Sequence, residues 1–226
     1  MIYLENLKKS FGEKRIFENL TMTIPQGEIV GIYGKSGVGK STLAKVLCGV
    51  QKADGGAVYL EDKLLCSAKT PYDRKLGVQI QMVYQQPYAT LDPRQKLYDG
   101  FLELIHYHHF AKSKAEALRL TQDLLEEVGL ERDILFHLPH QISGGEAQRI
   151  AIARCLLFQP KLLILDEATS MLDVMTQANV LSLVRRVMKK RGGSVMLISH
   201  DEGLVQYFCD KIYIFDNFQL KEKEKT

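Results

Sequence analysis

No stretch of the 226 residues approaches the roughly 20 consecutive apolar residues that a bilayer-spanning helix requires. The start, Met1 to Leu7, lacks the basic and apolar regions of a secretory signal and reads as a strand. These two absences predict a soluble, cytosolic chain whose membrane role, if it has one, comes through partners. The four cysteines (Cys48, Cys66, Cys155, Cys209) include no CxxC pair, which argues for buried free thiols over a metal or redox centre. Net charge is only +3, so nothing in the balance demands nucleic acid. There is no internal repeat and no low-complexity linker, and only the tail from Lys221 to Thr226 reads as solvated and frayed.

What is present is ordinary globular composition, 46% hydrophobic and 25% charged, in a chain long enough to bury a sizeable core. Strands are predicted at Ile2 to Leu4, Leu20 to Ile24 and Glu28 to Tyr33. A helix carrying Leu43, Val46 and Leu47 follows and stops at Gly49. Between about residues 97 and 130 the period is helical, with Ser113 and Glu116 spaced as a capping box, Leu120, Leu124 and Val128 on one face, and Gly129 as the stop. The last third returns to unbroken apolar runs: Lys161 to Leu165, Val195 to Ile198 and Lys211 to Phe215. Unbroken runs suit strands covered on both faces, as in a parallel sheet. The expectation is an α/β core interrupted by a helical lobe near residues 86 to 150.

Gly34, Lys35, Ser36, Gly37, Val38, Gly39, Lys40 and Ser41 match GxxxxGK[ST] in full, with Thr42 next, between a predicted strand and a predicted helix. Glycine lets backbone wrap phosphate oxygens closely, and the loop N–H groups and helix N-terminus then face the anion. Lys40 is expected on the β- and γ-phosphates and the Ser41 hydroxyl on Mg²⁺. A Gly-rich turn without function is the alternative, and the strand–loop–helix context argues against it. Further on, the run Leu162 to Leu165 ends in Asp166 and Glu167. Acids where a strand of an open α/β sheet ends are well placed for chemistry, Asp166 for Mg²⁺ and Glu167 as general base toward water. Alone such a pair is weak, because strands often end in solvated acids.

Ile142, Ser143, Gly144, Gly145, Glu146, Gln148 and Arg149 resemble the LSGGQ-x-QR signature of ABC ATPases, and Ala151 to Arg154 extends the likeness. Ser143 and Glu146 again have capping-box spacing, so a helix with its positive end outward should begin there. The resemblance covers essentially the whole chain. It implies a single ABC ATPase domain over residues 1–226: an α/β P-loop NTPase (RecA-like) core, an N-terminal antiparallel β-subdomain and an inserted helical subdomain at about 86–150. It also implies that ATP and Mg²⁺ are bound and that the signature of one subunit caps the nucleotide of the other. Phe11 then matches the aromatic that stacks on adenine, Gln85 the glutamine that senses Mg²⁺ and water, and His200 the histidine at the γ-phosphate. Ser170 to Asp173 matches the loop that crosses the dimer interface. A core phenylalanine, an ordinary glutamine and a structural histidine are the alternatives. Two departures stand out: Ile142 where the signature has Leu, and Glu146 where it has Gln. Glu146 either weakens nucleotide capping or sharpens the helix start.

Gln85 to Arg94 resembles the Q-D-P-x-x-S-L-N-P-R segment of peptide and nickel importer ATPases, with Asp92 where Asn is usual. That likeness implies a second ATPase subunit (a homodimer is the alternative), two membrane-spanning permease subunits and an extracytoplasmic binding protein. The cargo would be peptides, nickel or a metal–chelator complex, and the chain would sit at the cytoplasmic face of the membrane. The end at Thr226, soon after the last core strand, leans toward the shorter nickel-type second subunit. His106, His108 and His109 are expected as solvated histidines, because no cysteine or carboxylate joins them nearby. Arg185, Arg186 and Lys189 to Arg191 are expected on the wet face and C-terminal end of a helix. An exporter ATPase, a nucleic-acid or ribosome-associated ATPase and a regulator with a dead site are the rival readings. The 87–94 segment, the lack of tandem domains or coiled-coil insertions, and the intact Lys40, Asp166, Glu167 and His200 argue against them in turn.

Overall fold

The computed structural model describes residues 1–223. In chain order the elements are β1 (Ile2–Phe11), β2 (Lys14–Ile24), β3 (Ile29–Tyr33), α1 (Lys40–Leu47), β4 (Gly55–Leu60), β5 (Lys63–Ser67), α2 (Arg74–Gly77) and β6 (Ile80–Val83). Then come α3 (Leu97–Tyr107), α4 (Lys114–Glu127), α5 (Gly144–Leu156), β7 (Leu162–Asp166), α6 (Val174–Lys190), β8 (Ser194–Ser199), α7 (Glu202–Phe208), β9 (Lys211–Asp216) and β10 (Gln219–Lys223). They fall into two compact units. One comprises residues 1–82, 160–167 and 188 onward, and the other residues 83–159 and 168–187.

The first unit holds two sheets. An antiparallel sheet runs in the order β2-β1-β4-β5, and a second runs β10-β9-β3-β8-β7-β6. In the second sheet β7, β8, β3 and β9 are parallel, with Asp166 opposite Ile198 and Tyr33 opposite Ser199. β7 and β8 are buried at every position and β3 at all but its last, as expected of strands covered on both faces. Leu4, Phe17, Leu43, Leu47, Ile164 and Phe215 belong to one apolar core drawn from both sheets and α1. β1 and β2 extend well beyond the apolar stretches that suggested them. Their registers shift repeatedly, and Asn6 and Asn19 stand at φ 47° and 52°, so apolar alternation is broken while pairing continues. The tail also departs from expectation: residues 221–223 pair with β9 as part of β10, and residues 224–226 lie outside the described residues.

The second unit is helical. Phe101 and Ile105 of α3, Leu124 and Leu125 of α4 and Ile150 of α5 are buried. Arg149 donates to the Val128 and Gly129 carbonyls, tying α5 to the end of α4. Ser113 caps α4 by accepting from the Glu116 amide, but Glu116 returns its carboxylate to the Lys112 amide, one residue earlier than a reciprocal box requires. His106 and His109 are exposed, whereas His108 is partly buried, stacked on Phe110 and edge-on to Phe158. Among the described residues no three His, Cys, Asp or Glu side chains gather as a metal site, and the four cysteines form no disulfide. No helix of the described residues is long and apolar enough to cross a membrane.

Candidate active site

Three neighbouring parallel strands end side by side: β3 in the glycine-rich loop, β7 in Asp166 and β8 in Ser199 before His200. In an open α/β sheet this edge is where ligands bind. The loop from Gly34 to Gly39 leads into α1, whose N-cap is Gly39 at φ 119° and ψ 4°. That conformation favours glycine, and a Cβ at Gly39 would stand 2.6 Å from Ile16 Cγ2. At Gly34 a Cβ would meet the Phe215 carbonyl at 2.6 Å, so the loop is pressed against β9. Lys35, Ser36 and Gly37 are exposed, with Val38 and Gly39 partly so.

Lys40 is only 4% exposed, and its ammonium donates to the Gly34 carbonyl at 2.7 Å and the Lys35 carbonyl at 2.9 Å. Burial lowers its pKa, opposed by the Glu167 and Asp166 carboxylates. Ser41 Oγ donates to Asp166 Oδ1 at 2.9 Å, across 125 residues of sequence, and Thr42 follows on α1, half-buried. Burial raises the Asp166 pKa against the Ser41 hydrogen bond, and the neighbouring Glu167 charge adds to the rise. A hydroxyl and a carboxylate side by side form a hard oxygen pair. Mg²⁺ suits such a pair, because it commonly takes one or two protein oxygens and completes its shell with phosphate and water. These residues therefore fit a Mg²⁺ held together with a nucleotide.

Glu167 has a left-handed backbone, φ 49°, with its amide donating to the Ile198 carbonyl at 3.1 Å. A long side chain rarely takes this conformation outside sites where the surroundings impose it. Its carboxylate stands 3.7 Å from His200 Nδ1, outside direct hydrogen-bond reach. Phe11, at the end of β1, is 47% exposed with the Lys9 ammonium 5.1 Å from its ring centre. No sequence signal marks the left-handed Glu167 or the cation beside Phe11.

The remaining predicted residues lie in the second unit. Gln85 Nε2 donates to Ser170 Oγ at 3.2 Å. Asp173 Oδ1 accepts from the Thr176 amide at 3.0 Å, so this carboxylate caps the first turn of α6. Ser143 is the N-cap of α5, in a complete capping box with Glu146. Ser143, Gly145 and Glu146 border a cleft of about 480 Å³ that Arg149, His137 and Thr176 also line. The signature turn is thus open on one side rather than sealed in the unit's core.

The sequence profile described as "ABC transporter" matches residues 17–170. The nickel import ATP-binding protein NikE of Shigella dysenteriae serotype 1 (strain Sd197) is 34% identical over 209 residues, covering 92% of this chain and 78% of that protein. The oligopeptide transport ATP-binding protein OppF of Bacillus subtilis (strain 168) is 35% identical over 221 residues, with 94% and 71% covered. Among solved structures, cbiO1 of Clostridium perfringens, part of the ABC transporter complex cbiONQ, superposes with a TM-score of 0.85 at 27% identity, covering 97% of this chain and 86% of that one. The dimeric ATP-binding cassette MJ0796 bound to ADP and Pi gives a TM-score of 0.83 at 28% identity, covering 100% and 99%. With the phosphate loop, strand-end acids and signature in one chain of this fold, the protein belongs to the ABC transporter family and is an ATP-binding, ATP-hydrolysing subunit coupled to transport.

Proposed function

We propose that this chain energises an importer for peptides, nickel or a metal–chelator complex. It would act with a second ATPase subunit, two permease subunits and an extracytoplasmic binding protein, at the cytoplasmic face of the membrane. Similarity to nickel and oligopeptide import ATP-binding proteins over more than nine-tenths of the chain supports the cargo class. The segment from Pro87 to Arg94 supports it independently of the phosphate site.

The observation that carries the catalytic assignment is the convergence of Lys40, the Ser41–Asp166 pair and the Glu167–His200 pair on the ends of three adjacent strands. Lys40 exchanges the Gly34 and Lys35 carbonyls for β- and γ-phosphate oxygens, and the exposed loop amides and the start of α1 receive the remaining charge. Ser41 and Asp166 would hold Mg²⁺, which when bound would neutralise phosphate charge. Glu167 orients the attacking water and accepts its proton, His200 stands beside the γ-phosphate, and Phe11 stacks on adenine. Ser143 to Glu146 cover the γ-phosphate held by the partner ATPase, so two nucleotides close one dimer, and Asp173 belongs to the loop at that interface. The helical subdomain of about residues 86–150, with Gln85 at its start, carries the change to the permease subunits.

Glu167→Gln in the purified transport complex tests this assignment. Steady-state turnover should fall by about 10²–10⁴, the range of a lost general base, while ATP binding measured by fluorescent-nucleotide titration stays intact. Unchanged hydrolysis removes Glu167 from the proposed role.

A further inference from the structure

The end of β1 outruns the strand beside it. β4 begins at Gly55, and the pairing of the two strands reaches only as far as Lys8 opposite Gly55, short of Lys9, Ser10 and Phe11. Asp54 takes over there. Its amide donates to the Lys8 carbonyl at 2.8 Å, its Oδ2 accepts from the Ser10 amide at 2.7 Å, and its Oδ1 accepts from the Lys9 ammonium at 2.9 Å. Both carboxylate oxygens are thus engaged by β1. Lys9 is only 8% exposed, a state that lysine rarely takes unless paired. Its ammonium stands 5.1 Å from the centre of the Phe11 ring, and Phe11 itself is nearly half exposed.

An exposed phenylalanine at a strand end has no hydrogen-bonding group with which to fix its side-chain torsions. A cation over the ring supplies a directional hold, because the faces of the ring carry the negative side of its quadrupole. That cation is fixed in turn by Asp54, so carboxylate, ammonium and ring form one series running from the turn before β4 to the end of β1. The ammonium also draws π density toward itself. A ring depleted in this way stacks better on an electron-rich purine at its other face. Lys9 can therefore serve a base through Phe11, without a contact of its own.

Resting on the proposed stacking of Phe11 on adenine, we infer that Lys9, held by Asp54, is a positioning residue that sets the Phe11 ring for the nucleobase. In that reading the phosphates belong to Lys40 and the loop from Gly34 to Ser41, on a different strand. Lys9 and Asp54 then act on the share of affinity that comes from the base and leave the share from the triphosphate alone. A ligand with phosphates and no base separates the two.

The test is equilibrium titration of the full chain with MgATP and with inorganic tripolyphosphate, which has no base. Lys9→Met should raise the ATP dissociation constant about fivefold, the scale of one partly buried cation–π contact, and leave that of tripolyphosphate unchanged. Lys9→Arg should restore ATP affinity, because a guanidinium also pairs with a carboxylate and stacks on a ring. Asp54→Asn separates positioning from plain charge. Removing an acid would tighten both anionic ligands by charge alone, whereas loss of the tether weakens ATP and spares tripolyphosphate. Equal losses for the two ligands, no loss in Lys9→Met, or tighter ATP binding in Asp54→Asn each overturn the inference. Phe11→Ala tests the reading beneath it: ATP affinity should fall while tripolyphosphate holds, and Lys9→Met added to it should have no further effect. If Phe11→Ala leaves ATP binding unchanged, the stacking assignment fails. If it weakens ATP binding and Lys9→Met does not, only the role of Lys9 fails.

Discussion

Two helices of this protein begin on glycine-rich turns, and they begin in opposite ways. At α1 the N-cap is Gly39, no side chain accepts a first-turn amide, and no acid lies in the first turn. At α5 the N-cap is Ser143, its side chain and that of Glu146 satisfy each other's amides, and the acid sits in the first turn. Each α-helix start leaves amides without a helical partner. α1 leaves them to a ligand, and α5 supplies its own. An uncapped start is the better preformed anion site, while a self-capped start must rearrange before it can serve one. The comparison explains how similar glycine patterns can differ in strength as phosphate surfaces.

The largest break in this comparison is expected at Lys40. Its buried ammonium is held at the open start of α1 by the Gly34 and Lys35 carbonyls, and both the cation and the helix start favour an anion there. Lys40→Ala should weaken ATP binding by about a hundredfold, on the scale of truncating a buried charged partner. Equilibrium nucleotide titration of the full chain measures this. Retained affinity would mean that the amides of α1 alone suffice.

The glycines sharpen the contrast next. Gly39 combines φ 119° with a Cβ position 2.6 Å from Ile16 Cγ2, so Gly39→Ala should lose about 1–3 kcal/mol of stability through backbone strain and overpacking. Gly144 has no such φ, and a Cβ there would lie 3.6 Å from Leu172 Cδ2, an ordinary contact. Gly144→Ala at the first position of α5 should therefore be tolerated, with a gain below the roughly 0.5–1 kcal/mol of a mid-helix glycine. Urea unfolding of both variants decides the matter, and equal effects would erase the distinction between the two turns.

How much of this was legible in the sequence depended on whether the signal is local. Gly34 to Ser41 and the apolar runs ending at Leu165, Ile198 and Phe215 announce themselves, because phosphate-loop spacing and two-sided burial leave contiguous patterns. β1 and β2 hid much of their length, since Asn6 and Asn19 interrupt the period-two pattern that exposes a strand. The Ser41–Asp166 contact spans 125 residues and followed only from assuming that both motifs serve one nucleotide. The left-handed Glu167 left no trace at all, because its conformation is imposed by the strand end and not by residue type. At Glu146 the sequence offered two readings, a sharper helix start or a weaker cap. The hydrogen bonds between Ser143 and Glu146 show the first.

The smallest effects come from the two carboxylates, and they carry opposite signs. Glu146 is held below its usual pKa by Ser143, so it contributes stability that is present above about 4.3, the ordinary glutamate value, and is lost as pH falls through the lower folded-state value. Asp166 is held above its usual pKa by burial, so the folded state binds its proton more readily than the unfolded chain does. Its ionised form therefore costs stability, a cost that grows as pH rises from about 3.9, the ordinary aspartate value, through the folded-state value. Glu146→Gln should consequently lower stability at neutral pH by about 0.3–1 kcal/mol, the scale of one charge at a helix start, with the deficit fading in acid. Asp166→Asn should raise stability slightly at neutral pH, the gain also fading in acid, while ATP turnover is lost with the proposed Mg²⁺-holding pair. Thermal melts of the two variants across pH read these signs directly. A destabilised Asp166→Asn would mean that the Ser41 hydrogen bond outweighs burial, and that the phosphate end is held together by its acid just as the signature end is.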